Sequence, residues 1–461
     1  MKAQFVVVGG GIAGVTCVET LAFYHPNERI VLISESSLIK TVTNLLAITQ
    51  TLTTFEVEET SIDSFTNKHS NVVVINSKLV EICSEGKFIV LSSNVKVEYV
   101  YLCLCMGASP KLISQGKHNR HVLGIRDTDS VEIFIQKLRK SKQIVIVGNG
   151  GIASELVYKV KGVNVHWVIK DEHTTATFVD PGVAEFFKDS LNCDATNEPT
   201  VSKRMRYVED KNYKSGAALG PDWYKHFDIK GANDELQKLL KIHYKSEIVD
   251  VRSSKSQFPI ECMLNDGSTV PCDFIVSATG VEPKLDFKID RTFSTSSSKE
   301  VDVNQYMETS IPDIFAAGDI CNATWVYAKH WFPMKLWTQA RQMGCYAAKC
   351  MSGKFTREEV LQDFCFEIFT HSTRLFGYKV VLLGLFNGQK LGTDYEILFR
   401  MTKGHEFVKL VLQDGKLQGA ILVGDTDLEE MCENLILNQL DLSMYKEDLL
   451  NPNIDIEDYF D

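Results

Sequence analysis

Closely spaced glycines near the start of the chain have the types and spacing that cradle a phosphate group. Gly9, Gly11 and Gly14 form a G-x-G-x-x-G directly after the apolar run 4–8, and apolar residues at helical spacing follow. In a strand–turn–helix unit the first glycine permits the tight turn, the second lets a pyrophosphate approach the backbone, and the third lets the helix pack on the strand. Free N–H groups at the helix N-terminus then bind the phosphates. We predict a dinucleotide site with these contacts: Gly9, Gly11, Ile12, Ala13 and Gly14.

An acidic residue follows at the distance where such a site binds ribose. A second apolar strand is predicted over 29–33, and Glu35 stands 21 positions after Gly14. A carboxylate there accepts hydrogen bonds from the ribose hydroxyl groups. Ser34 occupies the position directly after the strand, so either Glu35 or, more weakly, Ser34 contacts the ribose. A solvated surface glutamate is the alternative reading of Glu35.

A second glycine turn repeats the pattern about 140 residues later. After the predicted strand 143–147, Gly148 and Gly150 match the first two glycines, and Ala153 replaces the third, as the dinucleotide fingerprint allows. Glu155 either contacts the nicotinamide or its ribose, or only stabilises the start of its helix. We predict a second dinucleotide site with these contacts: Gly148, Gly150, Gly151, Ile152 and Glu155.

The choice between NADH and NADPH at the second turn stays open. The predicted strand 163–169 ends at Lys170 and Asp171. An acid at this point binds the ribose of NAD, whereas a cation accepts the extra phosphate of NADP. Two dinucleotide sites in one chain suggest two cofactors, and a flavin that accepts a hydride from a nicotinamide requires that arrangement.

Three further segments carry a family resemblance. Segments 102–110 and 274–283 both place an apolar strand before a glycine and a proline, and segment 309–319 ends in Gly318-Asp319. In this order they resemble the class I pyridine nucleotide-disulphide oxidoreductases. The resemblance implies binding of FAD and NAD(P)H, with Asp319 on the ribityl chain of the flavin and Gln339, or a neighbouring backbone N–H, at its ring. It implies further cofactor contacts at these residues: Lys40, Asn44, Gly107 and Gly280.

The same resemblance implies an α/β fold. It consists of two Rossmann-like dinucleotide-binding domains, of which the NAD(P) domain is inserted in a discontinuous FAD domain, and a C-terminal α+β domain. In that last domain half-buried strand patterns, an amphipathic helix and an acidic tail follow one another. The expected boundaries are 1–125 and 262–352 for the FAD-binding domain, 126–261 for the NAD(P)-binding domain with an irregular insertion near 175–235, and 353–461 for the C-terminal domain.

The redox-active cysteines that give this family its name are missing from the sequence. One branch of the family uses a single cysteine near position 40, but here Lys40 stands in that place and no cysteine lies between Cys17 and Cys83. Cys103 and Cys105 alternate on a predicted buried strand, where packing accounts for them. No C-x-x-C occurs, so a zinc ribbon is unsupported. Electrons on a flavin must therefore pass to oxygen, a diffusible acceptor or a partner, or remain there.

Two functions are compatible with these residues. We predict an FAD-dependent NAD(P)H oxidoreductase that has no internal redox disulfide and whose acceptor is open. The alternative is a redox-gated, flavin-holding binding protein whose NAD(P)H-reduced form recruits a protein partner with little turnover. No catalytic residue is assigned. Lys40 is a candidate near the flavin, and a surface lysine is the other reading.

Composition limits the partners and the compartment. The 60 acidic and 49 basic residues give a net charge of −11, so direct nucleic-acid binding is not expected. A basic run within 189–220 leaves contact with RNA or an acidic partner open beside a solvated loop. No apolar run approaches the roughly 20 residues of a transmembrane helix, and the first strand leaves no room for a leader. The 12 cysteines are most simply free thiols of a reducing compartment, which favours cytoplasm and/or nucleus and no membrane.

The chain resembles one subfamily of these oxidoreductases over nearly its whole length, except for the variable insertion. The similarity lies in the first glycine turn, the second glycine turn and the acidic–aromatic end 451–461. It implies a role in oxidative-stress defence and a nuclear–cytoplasmic location. It also implies a partnership with the tRNA-splicing ligase, which the protein would protect from oxidation.

Overall fold

Three structural units are built around separate sheets. The structure, a computed structural model, describes residues 1–116, 119–188, 191, 229, 231, 239–254 and 256–450. We call the units the N-terminal unit, the inserted unit and the C-terminal unit. The insertion predicted near 175–235 and the acidic tail lie largely outside the described residues, as does the basic run within 189–220.

The N-terminal unit is organised by an eight-stranded mixed sheet. Its central strands are apolar and β-branched because the sheet is covered on both faces. β1 (Lys2–Val8) pairs in parallel with β2 (Ile30–Ser34) on one side and with β8 (Lys96–Leu104) on the other. The remaining strands are β5 (Val72–Asn76), β6 (Leu79–Cys83), β7 (Phe88–Leu91), β19 (Lys288–Ile289) and β21 (Ile314–Ala316). The spatial order is β19-β6-β7-β8-β1-β2-β5, with β21 also beside β8.

The inserted unit contains a five-stranded sheet in which every pairing is parallel. The strands are β10 (Val122–Gly124), β11 (Gln143–Val147), β12 (Asn164–Val168), β13 (Leu240–His243) and β17 (Phe274–Ser277), in the spatial order β10-β17-β11-β12-β13. An antiparallel sheet packs beside it, formed by β14 (Ile248–Ser253), β15 (Ile260–Leu264) and β16 (Thr269–Cys272). Both dinucleotide-type strand–turn–helix units are therefore present, one in each of the first two units.

The boundary between these units differs from the expected one. The FAD-binding domain was expected to resume at 262, yet β15, β16 and β17 still belong to the inserted unit. β17 pairs with β11, so that Phe274 lies opposite Ile144, just as β8 pairs with β1. Segments 102–110 and 274–283 therefore each lie beside the glycine turn of their own unit. The chain crosses between the units at β9 (Ala108–Pro110) and β18 (Val281–Pro283), which pair antiparallel.

The C-terminal unit is an antiparallel meander with one helix. Its strands are β23 (Thr370–Leu375), β24 (Tyr378–Gly384), β25 (Glu396–Thr402), β26 (Glu406–Gln413) and β27 (Lys416–Val423), in the order β23-β24-β27-β26-β25. Asp414 and Gly415 have φ of 52° and 70°, which matches the two-residue hairpin turn that Asp-Gly predicts. The strand patterns of this region are thus found as strands.

A hairpin of the N-terminal unit has no counterpart in the sequence expectations. β3 (Leu38–Ala47) and β4 (Thr53–Ser61) pair antiparallel, and a bulge between Thr43 and Leu46 shifts their register. The β3–β4 hairpin leaves the eight-stranded sheet and reaches the C-terminal unit, where its turn is anchored. Elsewhere in the N-terminal unit, a short parallel pair is formed by β20 (Val301–Val303) and β22 (Cys321–Ala323).

Helices cover the sheets. They are α1 (Ile12–Tyr24), α2 (Ile62–Lys68), α3 (Thr128–Leu138), α4 (Gly151–Lys159), α5 (Pro181–Phe186), α6 (Trp337–Thr356) and α7 (Glu429–Asn438). α6 continues as far as Thr356, because residues as far as Gly353 still bury one face. Within the described part of the chain, no helix is both long and apolar enough to cross a membrane.

A buried carboxylate fixes the hairpin turn to the C-terminal unit. Glu433 of α7 is 1% exposed. It accepts hydrogen bonds from the hydroxyls of Thr49 and Thr51, both at 2.5 Å, and from the Thr51 backbone N–H at 3.2 Å. A carboxylate that satisfies three donors in a dry environment is costly to remove, because each donor is then left without a partner.

Glu433→Ala should therefore lower the free energy of unfolding by about 2–3 kcal/mol. Urea denaturation followed by fluorescence measures the change. Glu430→Ala is the matched control, because Glu430 lies on the same helix but is exposed. An equal effect of the two substitutions would contradict the anchoring role of Glu433.

Candidate functional site

One cavity of about 650 Å³ collects residues from all three units. The first glycine turn lines it with Gly9, Gly10 and Gly11, and the second lines it with Gly150 and Gly151. Other predicted contacts on its wall are Ile12, Ala13, Glu35, Lys40, Gly107, Ile152, Glu155, Gly280 and Asp319. We call this space the cofactor cavity. The two dinucleotide-type turns thus open into the same volume.

The three glycines of the first turn have different physical roles. Gly9 has φ of +126°, and a Cβ there would lie 2.2 Å from the Cys105 carbonyl oxygen. A Cβ on Gly14 would lie 2.0 Å from the Gly9 carbonyl oxygen. A Cβ on Gly11 would meet nothing within 4 Å, because it would point into the cavity. Gly9 and Gly14 are therefore required by the fold, whereas Gly11 leaves room for a ligand.

Asp319 presents its carboxylate to the cavity at the end of the third family segment. Gly318 before it has φ of 78° and lies against Ala13 of α1. Burial raises the pKa of Asp319, while the nearby cations Lys335 and Arg126 lower it. The carboxylate accepts no hydrogen bond from any residue that the structure describes. A half-buried acceptor in this state fits a ligand that brings hydroxyl donors.

Glu35 and Ser34 have separate surroundings. The Ser34 hydroxyl donates to the Ser36 carbonyl at 2.7 Å, and Ser34 packs under Gly10, whose Cβ would lie 2.4 Å from the Ser34 oxygen. Glu35 lines the cavity and forms an ion pair with Lys284. Glu35 is therefore the better placed of the two to meet a ribose.

The second turn is braced by its own asparagine. Asn149 donates to the Asp171 carboxylate at 2.7 Å and to the His173 carbonyl at 2.9 Å. Lys170 instead forms an exposed ion pair with Glu247 at 2.8 Å. Asp171 is thus held at the turn and Lys170 is directed elsewhere. Glu155, one turn into α4, lies on the cavity wall.

Lys40 is a buried cation on the cavity wall rather than a surface lysine. Its Nζ lies 2.7 Å from Glu59 Oε1, and the two side chains are only 6% and 8% exposed. Thr128 of α3 donates to the same Glu59 oxygen at 2.8 Å. Burial lowers the pKa of Lys40, and the Glu59 carboxylate opposes that shift. The pair joins the β3–β4 hairpin to α3 and holds Lys40 in one position.

Four predicted contacts do not line the cavity. Gly14 and Gly148 lie beneath it, where a Cβ would meet a backbone oxygen at 2.0 Å in both cases. Asn44 is exposed on the hairpin and donates to Glu56 across the two strands. Gln339 is 3% exposed, accepts from the Met334 N–H at 2.7 Å and donates to the Phe332 carbonyl at 2.9 Å. Gln339 therefore braces the loop before α6.

The sequence reading missed the contribution of the C-terminal unit. His371, Thr373 and Leu375 alternate along β23 and all line the cavity, because side chains two apart on a strand share a face. Arg126, before α3, also lines it and donates to the Ser109 hydroxyl at 3.1 Å. The approach of β23 to the cavity depends on long-range packing, which leaves no local signal in the sequence.

The cysteines near the cavity are buried thiols. Cys103 and Cys105 Sγ atoms lie 3.5 Å apart, and Cys105 reaches the cavity wall. The hydrogen bond to Cys103, followed by burial, raises the pKa of Cys105. It therefore stays a thiol, which is a poor nucleophile. In the described part of the chain, no cluster of three or more His, Cys, Asp or Glu side chains is arranged to hold a metal ion.

The arrangement fits two dinucleotides that meet. Two glycine turns with helix N-termini suit two pyrophosphates, Asp319 suits a ribityl chain, and Glu155 lines the same cavity. Residues predicted for a flavin and for a nicotinamide therefore line one space.

Comparisons with known proteins agree with this arrangement. The family model described as pyridine nucleotide-disulphide oxidoreductase matches residues 3–195 and 229–344. The chain is 51% identical to pyridine nucleotide-disulfide oxidoreductase domain-containing protein 1 of Drosophila melanogaster, over 100% of this chain and 99% of that protein.

Two solved structures share the fold at low identity. A ferredoxin reductase from Rhodopseudomonas palustris matches with a TM-score of 0.65 and 19% identity, over 91% of each chain. An engineered water-forming NADPH oxidase bound to NADPH matches with a TM-score of 0.67 and 16% identity, over 96% of this chain and 92% of that one.

The glycine roles give a test of the first site. Gly11→Ala should weaken FAD binding about tenfold or more, equivalent to about 1.4 kcal/mol, because its methyl group enters the space for the pyrophosphate. The thermal unfolding temperature of the flavin-free protein should stay unchanged. Flavin occupancy after purification and equilibrium titration with FAD measure the first effect.

Gly14→Ala is the matched comparison. Its methyl group meets the Gly9 carbonyl, so it should destabilise even the flavin-free protein, by about 1–3 kcal/mol. Full flavin occupancy in Gly11→Ala would contradict the assignment of this turn.

Proposed function

The chain belongs to the pyridine nucleotide-disulphide oxidoreductase family, and from that premise we propose that it passes electrons from NAD(P)H to an acceptor outside the chain. The family resemblance that the motifs predicted is confirmed, and with it the α/β fold class and the cofactors FAD and NAD(P)H. The protein is accordingly an oxidoreductase. Its acceptor and its biological role are proposals that rest on the site and on the resemblance.

The observation that carries the proposal is the common cavity of the two glycine turns. Bound FAD would supply a ring that accepts a hydride from NAD(P)H and later releases the electrons. The protein residues orient the two partners: the α1 and α4 N-termini hold phosphates, and Asp319 holds hydroxyl groups. Bringing two reactants together in one enclosed volume removes the entropy cost of their encounter.

Charge around the cavity supports a reduced, anionic state of its ligand. The 20-residue helix α6 begins at the cavity, where Leu336 and Trp337 line the wall. A helix N-terminus carries about half a positive charge. On the hairpin side, Lys40 lines the cavity as an ion pair with Glu59. The helix N-terminus therefore stabilises negative charge without taking part in covalent chemistry.

The acceptor is proposed to come from outside the chain because no two cysteines of the described residues share the cavity wall. Position 40 carries Lys40, and Cys105 is the only cysteine on the cavity wall among the described residues. Its thiol is 5% exposed. A diffusible oxidant or a protein partner would therefore have to approach the cavity itself.

The biological role is proposed to be defence against oxidation, including protection of the tRNA-splicing ligase, in the cytoplasm and nucleus. The support is the sequence resemblance over the whole chain and the absence of a redox cysteine near position 40. A direct test incubates the purified ligase in air with the holoprotein and NAD(P)H. Retained ligase activity with the native protein, and loss with Asp319→Ala, is expected; equal loss in both would reject the role.

A second function remains supported by the same cysteine placement. A protein with no internal electron acceptor would act as a redox-gated binding protein, whose reduced form recruits its partner with little turnover. Stopped-flow absorbance separates the two functions. Rapid bleaching of the flavin by NAD(P)H followed by fast steady turnover with a quinone, oxygen or a disulfide is the expected result for the enzyme.

Bleaching into a long-lived species, with negligible turnover on every acceptor, would instead select the binding protein. Asp319→Ala should lose most of its flavin and show neither behaviour. Thiol labelling before and after reduction by NAD(P)H is the control for the cysteines. A newly labelled pair after reduction would contradict an acceptor outside the chain.

A further inference from the structure

A second cavity adjoins the cofactor cavity and is not used by either dinucleotide-type turn. Its volume is about 340 Å³. We call it the side chamber. It shares Glu155, Trp337, His371 and Thr373 with the cofactor cavity, so a molecule in the chamber would lie directly beside the end of the cavity where Glu155 stands.

The walls of the side chamber are fixed by buried contacts. One wall is the start of β4, with Thr54 and Phe55, and the opposite wall is the edge strand β23. The turn before β4 is held by the hydrogen bonds of its two threonines to Glu433. The Thr370 hydroxyl of β23 also donates to the Thr51 carbonyl at 3.2 Å. The chamber is therefore a preformed cavity between two anchored strands.

Two basic residues, Arg374 and Lys379, and one acidic residue, Glu155, line the chamber. Arg374 and Lys379 lie directly opposite each other on β23 and β24, and both line the chamber. Like charges in opposite positions of an antiparallel pair destabilise a sheet. Lys379 is neutralised by Glu429 at 2.5 Å. Arg374 has no ion-pair or hydrogen-bond partner for its side chain among the described residues, so it is available to an anion.

The remaining lining favours a flat ring. Phe55 and Trp337 contribute aromatic surfaces, which pack well against planar rings. Thr54, Thr338 and Ser372 add hydroxyl groups. His371 lies between the two cavities and contacts the Thr338 hydroxyl through Nδ1 at 3.2 Å. Burial lowers the pKa of His371 to about 4, so its ring is neutral at physiological pH. Arg374 is then the cation of the chamber whose side chain has no partner among the described residues.

We propose that the side chamber binds the electron acceptor, as a quinone-type planar ring that carries a carboxylate or sulfonate group, with Arg374 paired to the anion. The inference rests on the proposed transfer of electrons to an acceptor outside the chain. The overall reaction balances: NAD(P)H gives up two electrons and a proton, and the quinone takes both electrons, that proton and one from solvent to become a hydroquinone.

Calorimetric titration of the oxidised holoprotein with anthraquinone sulfonate tests the site without turnover. Arg374→Gln should weaken binding about fivefold, as expected for one partly exposed ion pair, and added salt should reduce the difference. Neutral hydroxymethyl anthraquinone should bind equally to both forms. In steady-state assays with the sulfonate, KM should rise by the same factor while kcat is unchanged.

Two further variants complete the design. Arg139→Gln removes an exposed arginine at the end of α3, away from the chamber, and should leave every value unchanged. Thr54→Phe should fill the chamber and abolish binding of both quinones. Flavin reduction by NAD(P)H alone should remain normal in all variants.

The possible failures are distinguishable. Equal affinity of the native protein and Arg374→Gln for the sulfonate, or quinone binding that persists in Thr54→Phe, would overturn the chamber assignment while flavin reduction continues. Absence of flavin reduction in the native holoprotein would overturn the proposed function, and the calorimetric binding would still report on the chamber.

Discussion

The rest of the structure depends on the close backbone approach of α1 to its neighbours. A Cβ on Gly344 of α6 would lie 2.2 Å from the Ala13 carbonyl oxygen, and a Cβ on Gly14 would lie 2.0 Å from the Gly9 carbonyl oxygen. Only glycine permits either contact. α1 is therefore held between the turn after β1 and α6. Because of this packing the N-termini of both helices meet at the cofactor cavity, and any side chain at these two positions would separate them.

Charge is arranged around that meeting point. The two helix N-termini contribute partial positive charge, and the cations Lys40, Arg126 and Lys335 lie on the cavity wall. Glu59 pairs with Lys40, and Glu300 pairs with Lys335. The Lys40–Glu59 pair is buried, and desolvation offsets much of its attraction, so the pair adds little net stability. Its main effect is to hold the two side chains in position. The hairpin that carries both residues also forms a wall of the side chamber. One local element thus adjoins both the cofactor site and the proposed acceptor site.

Local patterns in the sequence predicted the local parts of the site. Each glycine turn sits between a strand and a helix, so Gly9 to Gly14 and Gly148 to Glu155 could be read directly. Asn44 and Gln339 were placed by resemblance, and their side chains are engaged by Glu56 and by the loop before α6 instead. The β3–β4 hairpin, the later return of the chain at β18 and the approach of β23 all depend on pairing between distant segments. A single sequence contains no periodic signal for such pairing.

The central claim is that both dinucleotides react within one cavity. The most direct measurement is anaerobic stopped-flow reduction of the FAD-loaded protein by NADH or NADPH carrying deuterium at the transferred position. Direct hydride transfer predicts that the flavin bleaches and that deuterium slows the bleaching several-fold compared with the unlabelled nucleotide. A flavin that stays oxidised, or that bleaches at a rate independent of deuterium at every nucleotide concentration, would contradict the account.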